Sequence, residues 1–293
     1  MNKLCIQIVL FLLSISVCVN TETLATEPSQ KKNTKSKSKK NTKPKSEQLY
    51  LTPEEIYEKN KDLLCNNPEE TIQAEKLMTD AVSKLEYHAT NKHGYRFYTE
   101  CSPYNMTSYI KIYRDCACIE KIQYKINSPK KYNKIINKYW NPDSDSFFYI
   151  GSVKRKIARV YTPNLVIIQQ RSKTHPWSRE KYFYALAAKF EISENKTIIV
   201  MTSANINDHN SKNKKPFENT IVKSANLFKT DIDSENDIRN GKLKKTVVNI
   251  MGYVIEKKEE YLDITYVESI GRYVPSYLNR IIRKASNCFS PHK

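Results

Sequence analysis

The chain has 293 residues, enough for one sizeable core, and carries 49 Lys and Arg against 31 Asp and Glu, a net charge of +18. Five glycines are too few for Gly-rich phosphate loops, and seven cysteines without regular spacing make no disulfide framework. Residues 1–45 hold +7 of the charge and the remainder +11, so the part expected to fold either faces an anionic partner such as a membrane surface or carries a solvated lysine-rich face.

Lys3 precedes an apolar run over residues 4–19, interrupted only by Gln7, Ser14 and Ser16. The run is short for a membrane span and suits the core of a signal peptide over residues 1–25, the alternative being an uncleaved anchor. Either route is secretory, and no later segment is apolar enough to span a bilayer. Residues 26–48 read as a disordered Lys-rich tether, because 31–45 carry eight Lys and no hydrophobe. It either touches anionic headgroups or acts as a soluble spacer. Residues 49–293 are expected to form the folded domain.

Thr52-Pro53-Glu54-Glu55 and Asn67-Pro68-Glu69-Glu70 each supply a helix cap, a first-turn proline and a capping-box Glu. The second opens a helix to about residue 88, with Ala74, Leu77, Met78, Ala81, Val82 and Leu85 on one face. His88 and His93 read as surface or boundary residues. Strand-like runs follow at 95–100, 107–114 and 119–126, where Ile122, Tyr124 and Ile126 alternate with Lys121, Gln123 and Lys125. Ser128-Pro129 starts a helix to Trp140, stopped by Asn141-Pro142-Asp143. Strands are expected at 153–161, 165–171, 182–192, 197–204 and 220–228, with a polar loop at 205–219. A ribbon over 246–255 and 261–267 leads through Gly271 and Pro275 into an amphipathic helix at 276–288. Hairpin-length connections and segregated helices make the class α+β, a curved antiparallel sheet wrapped around a long C-terminal helix.

The catalytic search is empty: no HExxH, GxSxG, P-loop, GxGxxG or EF-hand pattern occurs, and five His leave little material for acid/base chemistry. Cys116-Ala117-Cys118 lacks the usual metal-knuckle spacing and has no His pair nearby. The expectation is no enzyme, no metal and no cofactor. In 153–161, alternation sets Arg155 and Arg159 on the face of Val153, Ile157 and Tyr161. If that face is inward, two guanidiniums in an apolar cavity need an anion such as phosphate; if outward, they snorkel over solvent. Tyr182, Tyr184, Leu186, Ala188, Phe190 and Ile192 form one continuous apolar face, which either lines a cavity or fills a core.

Pro176-Trp177-Ser178-Arg179-Glu180-Lys181-Tyr182 resembles the segment before the sixth strand of START lipid-transfer domains. Trp140 resembles the Trp of that family's Trp-Asp pair, and Gly271-Arg272-Tyr273-Val274-Pro275-Ser276-Tyr277-Leu278 resembles its closing motif. Tyr57-Glu58-Lys59-Asn60, Gly151-Ser152-Val153-Lys154-Arg155-Lys156-Ile157 and Phe190-Glu191-Ile192-Ser193-Glu194-Asn195-Lys196-Thr197-Ile198-Ile199-Val200, with the leader, are similar to the fam-a proteins of rodent malaria parasites. The resemblance implies a START-like helix-grip domain that carries a phospholipid, phosphatidylcholine first, in a tunnel under the C-terminal helix. It also implies a secreted protein, exported toward the parasitophorous vacuole or host erythrocyte, that meets membranes transiently, binds no nucleic acid and works as a monomer. Acyl chains would lie against Leu186, Phe190, Val200, Met201, Leu278 and Ile282, with Trp140, Tyr161 and Tyr184 completing the lining. Asn141 stands in place of the family's Asp, and Asn137 falls where phosphatidylcholine carriers place a phosphate-binding Arg. Arg155, Arg159 or Arg171 would have to substitute. No Arg-x-Leu-x-acid export motif occurs. The rivals are an enzyme on the same scaffold and a surface antigen or adhesion module with a vestigial cavity.

Overall fold

In the computed structural model, residues 50–102, 105–112, 118–144, 152–175, 177–213 and 215–271 are described. The leader, the lysine-rich tether and the helix expected at 276–288, with Leu278 and Ile282, lie outside the described residues.

Helix α1 (Pro53–Lys59) opens on Thr52, whose side chain accepts from the Glu55 N–H while the Glu55 carboxylate accepts from the Thr52 N–H, a complete capping box. Helix α2 (Pro68–Thr90) opens on Asn67, whose side chain accepts from the N–H groups of Glu69 and Glu70. The capping box expected there does not form, because the Glu70 carboxylate is taken up by Arg159, Tyr161 and Thr230 instead. Helix α3 (Tyr132–Trp140) follows a 3-10 turn at Pro129–Lys131.

Nine strands run antiparallel in the order β1 (Arg96–Cys101), β2 (Met106–Ile112), β3 (Cys118–Ile126), β12 (Leu262–Ile270), β11 (Val248–Lys257), β7 (Lys196–Thr202), β6 (Lys181–Ser193), β5 (Leu165–Lys173), β4 (Ser152–Thr162). The curved sheet with its few helices is the helix-grip arrangement the sequence implies. A tenth strand, β10 (Lys244–Lys245), pairs in parallel with β6. Outside it, β8 (Asn205–Asn207) pairs with β9 (Lys229–Asp231), and α4 (Asn236–Arg239) forms a single turn. The strand expected at 220–228 is absent. Asn219 Oδ1 accepts from the N–H groups of Ile221 and Val222 that a ladder would have used, and a 3-10 turn at Lys223–Asn226 follows.

The central strands of the sheet are buried on both faces. On one face α2 lays Ala74, Leu77, Met78, Ala81 and Leu85 against Ile167, Leu186, Ile198, Val200, Ile250 and Val254. On the other, Ile56, Tyr132, Ile136 and Trp140 pack with Ile157, Val166, Ile168, Ala187, Met201, Tyr253 and Tyr266. Double burial explains why β5 and β7 read as unbroken apolar runs rather than alternating ones. His88 is not a surface residue: it is 2% exposed. Its Nδ1 lies 3.1 Å from the Tyr95 hydroxyl. Burial, then the neighbouring Lys111, Lys121 and Lys84, lowers its pKa to about 4, so it is neutral at physiological pH.

Strand β11 meets α2 at Gly252. A Cβ there would stand 2.1 Å from the Ile199 carbonyl oxygen and 2.8 Å from Leu85 Cδ2. Neither the backbone nor the helix can yield, so Gly252→Ala should destabilise the protein by about 2 kcal/mol or more. Equilibrium urea unfolding of the variant beside wild type measures this.

Candidate functional site

Strand β4 decides where the arginines go. Its ladder with β5 slips between Ile157 and Arg159, and a bulge of this kind moves every following side chain to the opposite face. Arg155 and Ile157 therefore face the α3 side, whereas Arg159 and Tyr161 face α2. The single face expected for Arg155, Ile157, Arg159 and Tyr161 is divided.

On the α2 side, Arg159 donates to Glu70 Oε1 at 2.7 Å, to the Thr230 hydroxyl and to the Asp231 carbonyl at 2.7 Å. Tyr161 and Thr230 donate to the same Glu70 oxygen at 2.6 and 2.9 Å. Burial pushes the Glu70 carboxyl up, but the hydrogen bonds from Tyr161, Arg159 and Thr230 prevail and hold its pKa below the ordinary 4.5. Arg171 is likewise engaged, forked onto Asp237 at 2.6 and 2.9 Å and paired with Glu235 at 3.2 Å. Burial opposes ionisation of Glu235, yet bonds from Lys156, Gln169 and the backbone bring its carboxyl down to about 2. Arg159 and Arg171 are thus structural ties already neutralised by carboxylates, not open anion receptors. Tyr184, Leu186 and Val200 lie in the α2-side core and Phe190 packs against it, which removes these four from any site on the opposite face.

The α3-side face carries a cleft whose lining includes Ile56, Tyr139, Trp140, Arg155, Val166 and Met201. Of the residues expected to form the site, Trp140, Arg155 and Met201 meet here. Arg155 Nε donates to Gln170 Oε1 at 2.7 Å. Gln170 Nε2 and Trp140 Nε1 are both buried with no hydrogen-bond partner. Buried donors without acceptors are costly, on the order of 1–3 kcal/mol each. The cleft therefore sets the Arg155 guanidinium and the Trp140 indole beside an apolar wall, with no carboxylate among its described lining residues, and Gln170 adjoins it through its bond to Arg155. Tyr139 stacks on Tyr253 at 4.3 Å between centroids and shares a 2.8 Å hydrogen bond with Tyr124, which fixes one side. The free space amounts to about 10 Å³, room for one water.

Gln170 had a sequence signal, a polar pair Gln169-Gln170 continuing the apolar run of Leu165 to Ile168. Ala185 and Ala187, which keep this face shallow, had none. Farther along the same face, Glu268 opposes Glu120 across the β3–β12 ladder. Tyr266 donates to Glu268 at 2.5 Å. Burial and then Glu120 raise the Glu268 carboxyl to about 7 despite the Tyr266 bond. Burial and the same two carboxylates push the Cys118 thiol up to about 12, so it is inert at physiological pH. No His, Cys, Asp or Glu group able to hold a metal occurs among the described residues.

Two titrations follow with opposite signs. Glu70 and Glu235 have lowered pKa values, so their stabilisation is present above 4.5 and is lost as pH falls, down to about 2 for Glu235. Glu70→Ala should cost about 3 kcal/mol at neutral pH and much less once acid has protonated the wild-type group. Glu268 has a raised pKa, so its favourable contribution exists below 4.5 and is lost as pH rises through about 7. Glu268→Gln should therefore gain on wild type in denaturant stability as pH rises from 4.5 to about 7, keep that gain at higher pH and gain nothing in acid.

No protein-family model matches the chain, and no curated protein matches it in sequence. Among solved structures, human StAR-related lipid transfer protein 5 is similar at 9% identity, with 75% of this chain and 93% of that one covered and a TM-score of 0.50. Human STARD10 matches at 14% identity over 70% of this chain and 71% of its own, with a TM-score of 0.41. The lipid transfer and protein localization domain of human StarD13 matches at 12% identity over 74% and 96%, with a TM-score of 0.40. Identities this low speak to architecture, and the first of these matches carries the point. The chain has the START-like helix-grip fold of StAR-related lipid transfer domains.

Proposed function

We propose that the chain binds one phospholipid against the α3-side face of its sheet and carries it between membranes without covalent chemistry. The observation that carries this reading is the donor set of the cleft. Arg155 and Trp140 stand at an apolar wall with no carboxylate among the described lining residues, and Gln170, bonded to Arg155, and Trp140 each keep a buried N–H donor without a partner. An acceptor-rich anion attached to hydrocarbon, such as a lipid phosphate, satisfies both halves of that surface. Burying its chains supplies affinity at about 0.8 kcal/mol per methylene. The fold shared with human StAR-related lipid transfer protein 5 supports a lipid over other amphiphiles. Phosphatidylcholine is the first candidate, and Arg155 replaces the phosphate-binding Arg that the sequence lacks at Asn137. The leader and the fam-a-like blocks extend the proposal to a secreted monomer exported toward the parasitophorous vacuole or host erythrocyte.

A second reading, a surface antigen or adhesion module with a vestigial cavity, is favoured by the cleft's small free space of about 10 Å³. An acyl chain enters only if α3 or its neighbours move.

Native mass spectrometry of the full chain should find one co-purifying phospholipid, and labelled phospholipid should move between vesicles in its presence. Arg155→Ala should slow that transfer by tenfold or more, on the order expected for losing one charged hydrogen bond, with the fold kept by circular dichroism. A lipid-free protein that moves no labelled phospholipid leaves the antigen reading in place.

A further inference from the structure

Two Asn-x-Thr triplets occur in the chain, Asn105-Met106-Thr107 and Asn195-Lys196-Thr197. An asparagine followed two residues later by Ser or Thr, with no proline between, is what the oligosaccharide transferase of the secretory route reads, and the modified side chain must end at the surface. Both triplets begin in hairpin turns, Asn105 between β1 and β2 and Asn195 between β6 and β7. Both asparagines are exposed. Asn105 has φ +46, a left-handed conformation that asparagine tolerates in turns, and its N–H donates to the Ser102 carbonyl at 3.1 Å. The Asn195 carbonyl accepts from the Lys257 N–H at 2.8 Å, which ties its turn to β11.

Other asparagine side chains are engaged inside the fold. Asn67 caps α2, Asn226 bonds the Asn219 backbone, and Asn249 reaches Ser269 and the Gly271 carbonyl. No hydrogen bond among the described residues engages the carboxamide of Asn105 or Asn195. Asn195 also borders a shallow groove of about 630 Å³, whose lining includes Lys257, Lys258, Glu259, Glu260 and Tyr261. Polar side chains around one ring suit a sugar, which brings hydroxyls to the former and a C–H face to the latter. Ile192, 49% exposed, stands three residues before Asn195 and would be covered by the same sugar.

The register puts both turns at one end of the sheet. Ser193 pairs with Lys196, Lys196 with Glu256, Lys257 with Leu262 and Leu262 with Ile126. Thr107 pairs with Gln123, three residues before Ile126. Gln170, the partner of Arg155, instead pairs with Phe183, ten residues before Ser193 along β6 and on the order of 30 Å away.

We propose that Asn105 and Asn195 are N-glycosylation acceptors, which set sugar on the end of the sheet remote from Arg155. The proposal rests on the secretory reading of residues 1–25. The transfer joins each Asn Nδ2 to the anomeric carbon of an N-acetylglucosamine-based donor, breaks that carbon's bond to a polyprenyl diphosphate, and releases one amide proton to a base of the transferase. Thr197 is 1% exposed and its hydroxyl lies 3.0 Å from the Tyr132 hydroxyl, so this triplet is read before β7 packs. Thr107 is only half-buried, and the folded turn still presents Asn105.

Cell-free translation of the full chain with endoplasmic-reticulum microsomes tests the proposal. The expected product is protected from added protease and carries two sugar increments, both removed by an amidase specific for N-glycans. Asn105→Gln and Asn195→Gln should each lose one increment. Thr197→Ala should lose the same increment as Asn195→Gln, and Thr197→Ser should keep it. Transfer takes place on the entering chain, so the readout does not need a variant to fold. A protected chain without increments overturns the proposal and leaves the secretory reading standing, as do increments that persist in the double Asn105→Gln, Asn195→Gln variant. A single increment overturns the site whose Gln variant leaves it in place. A chain open to protease overturns the secretory reading and the proposal with it.

Discussion

Helix α2 can lie flat on the sheet only because β11 has no side chain at Gly252, where Leu85 presses against the strand backbone. That close approach seals one face of the sheet with the apolar stripe from Ala74 to Leu85. The cleft lies on the other face, between the sheet, α3 and Ile56 of α1. The polar ends of the same packing are tied by Glu70, whose carboxylate gathers Arg159, Tyr161 and Thr230 and so fixes the start of α2 to the edge strand β4.

The distribution of carboxylates then selects among the arginines. Glu70 neutralises Arg159, and Asp237 with Glu235 neutralises Arg171. Arg155 has Gln170 instead, a neutral partner that takes one N–H and leaves the charge in place. A guanidinium bonded to a carboxylate has little left to offer a phosphate, whereas one bonded to an amide keeps its field. The same bulge that sends Arg159 to α2 leaves Arg155 in the cleft, so one irregularity in one strand separates a carboxylate-paired arginine from one that lines the cleft.

At the β5–β6 end the hairpin carries the exposed Trp177. On the far side of the α3 face, Glu120 and Glu268 face each other in the ladder with Tyr266.

The sequence alone determined the elements that rest on local chemistry. Thr52 and Asn67 with their following prolines started helices at those positions, the three- and four-residue spacing of Ala74 to Leu85 marked the buried face of α2, and strand-like runs marked all nine main strands within a few residues of their observed ends. The helix-grip class was legible because those elements come in a characteristic order and join by hairpins. Which face of the sheet holds the cleft was decided only by the tertiary structure. Strands buried on both sides are apolar at every position, so Leu186 and Val200 looked as suitable a lining as Ala187 and Met201, and period two cannot tell one covered face from the other. The bulge in β4 leaves no mark in the residue types, yet it reverses the facing of Arg159 and Tyr161. The partners Glu70, Thr230 and Asp237 lie 66 to 89 residues away from the arginines they bind, and pairing over such separations is set by how the chain closes on itself, not by any local pattern.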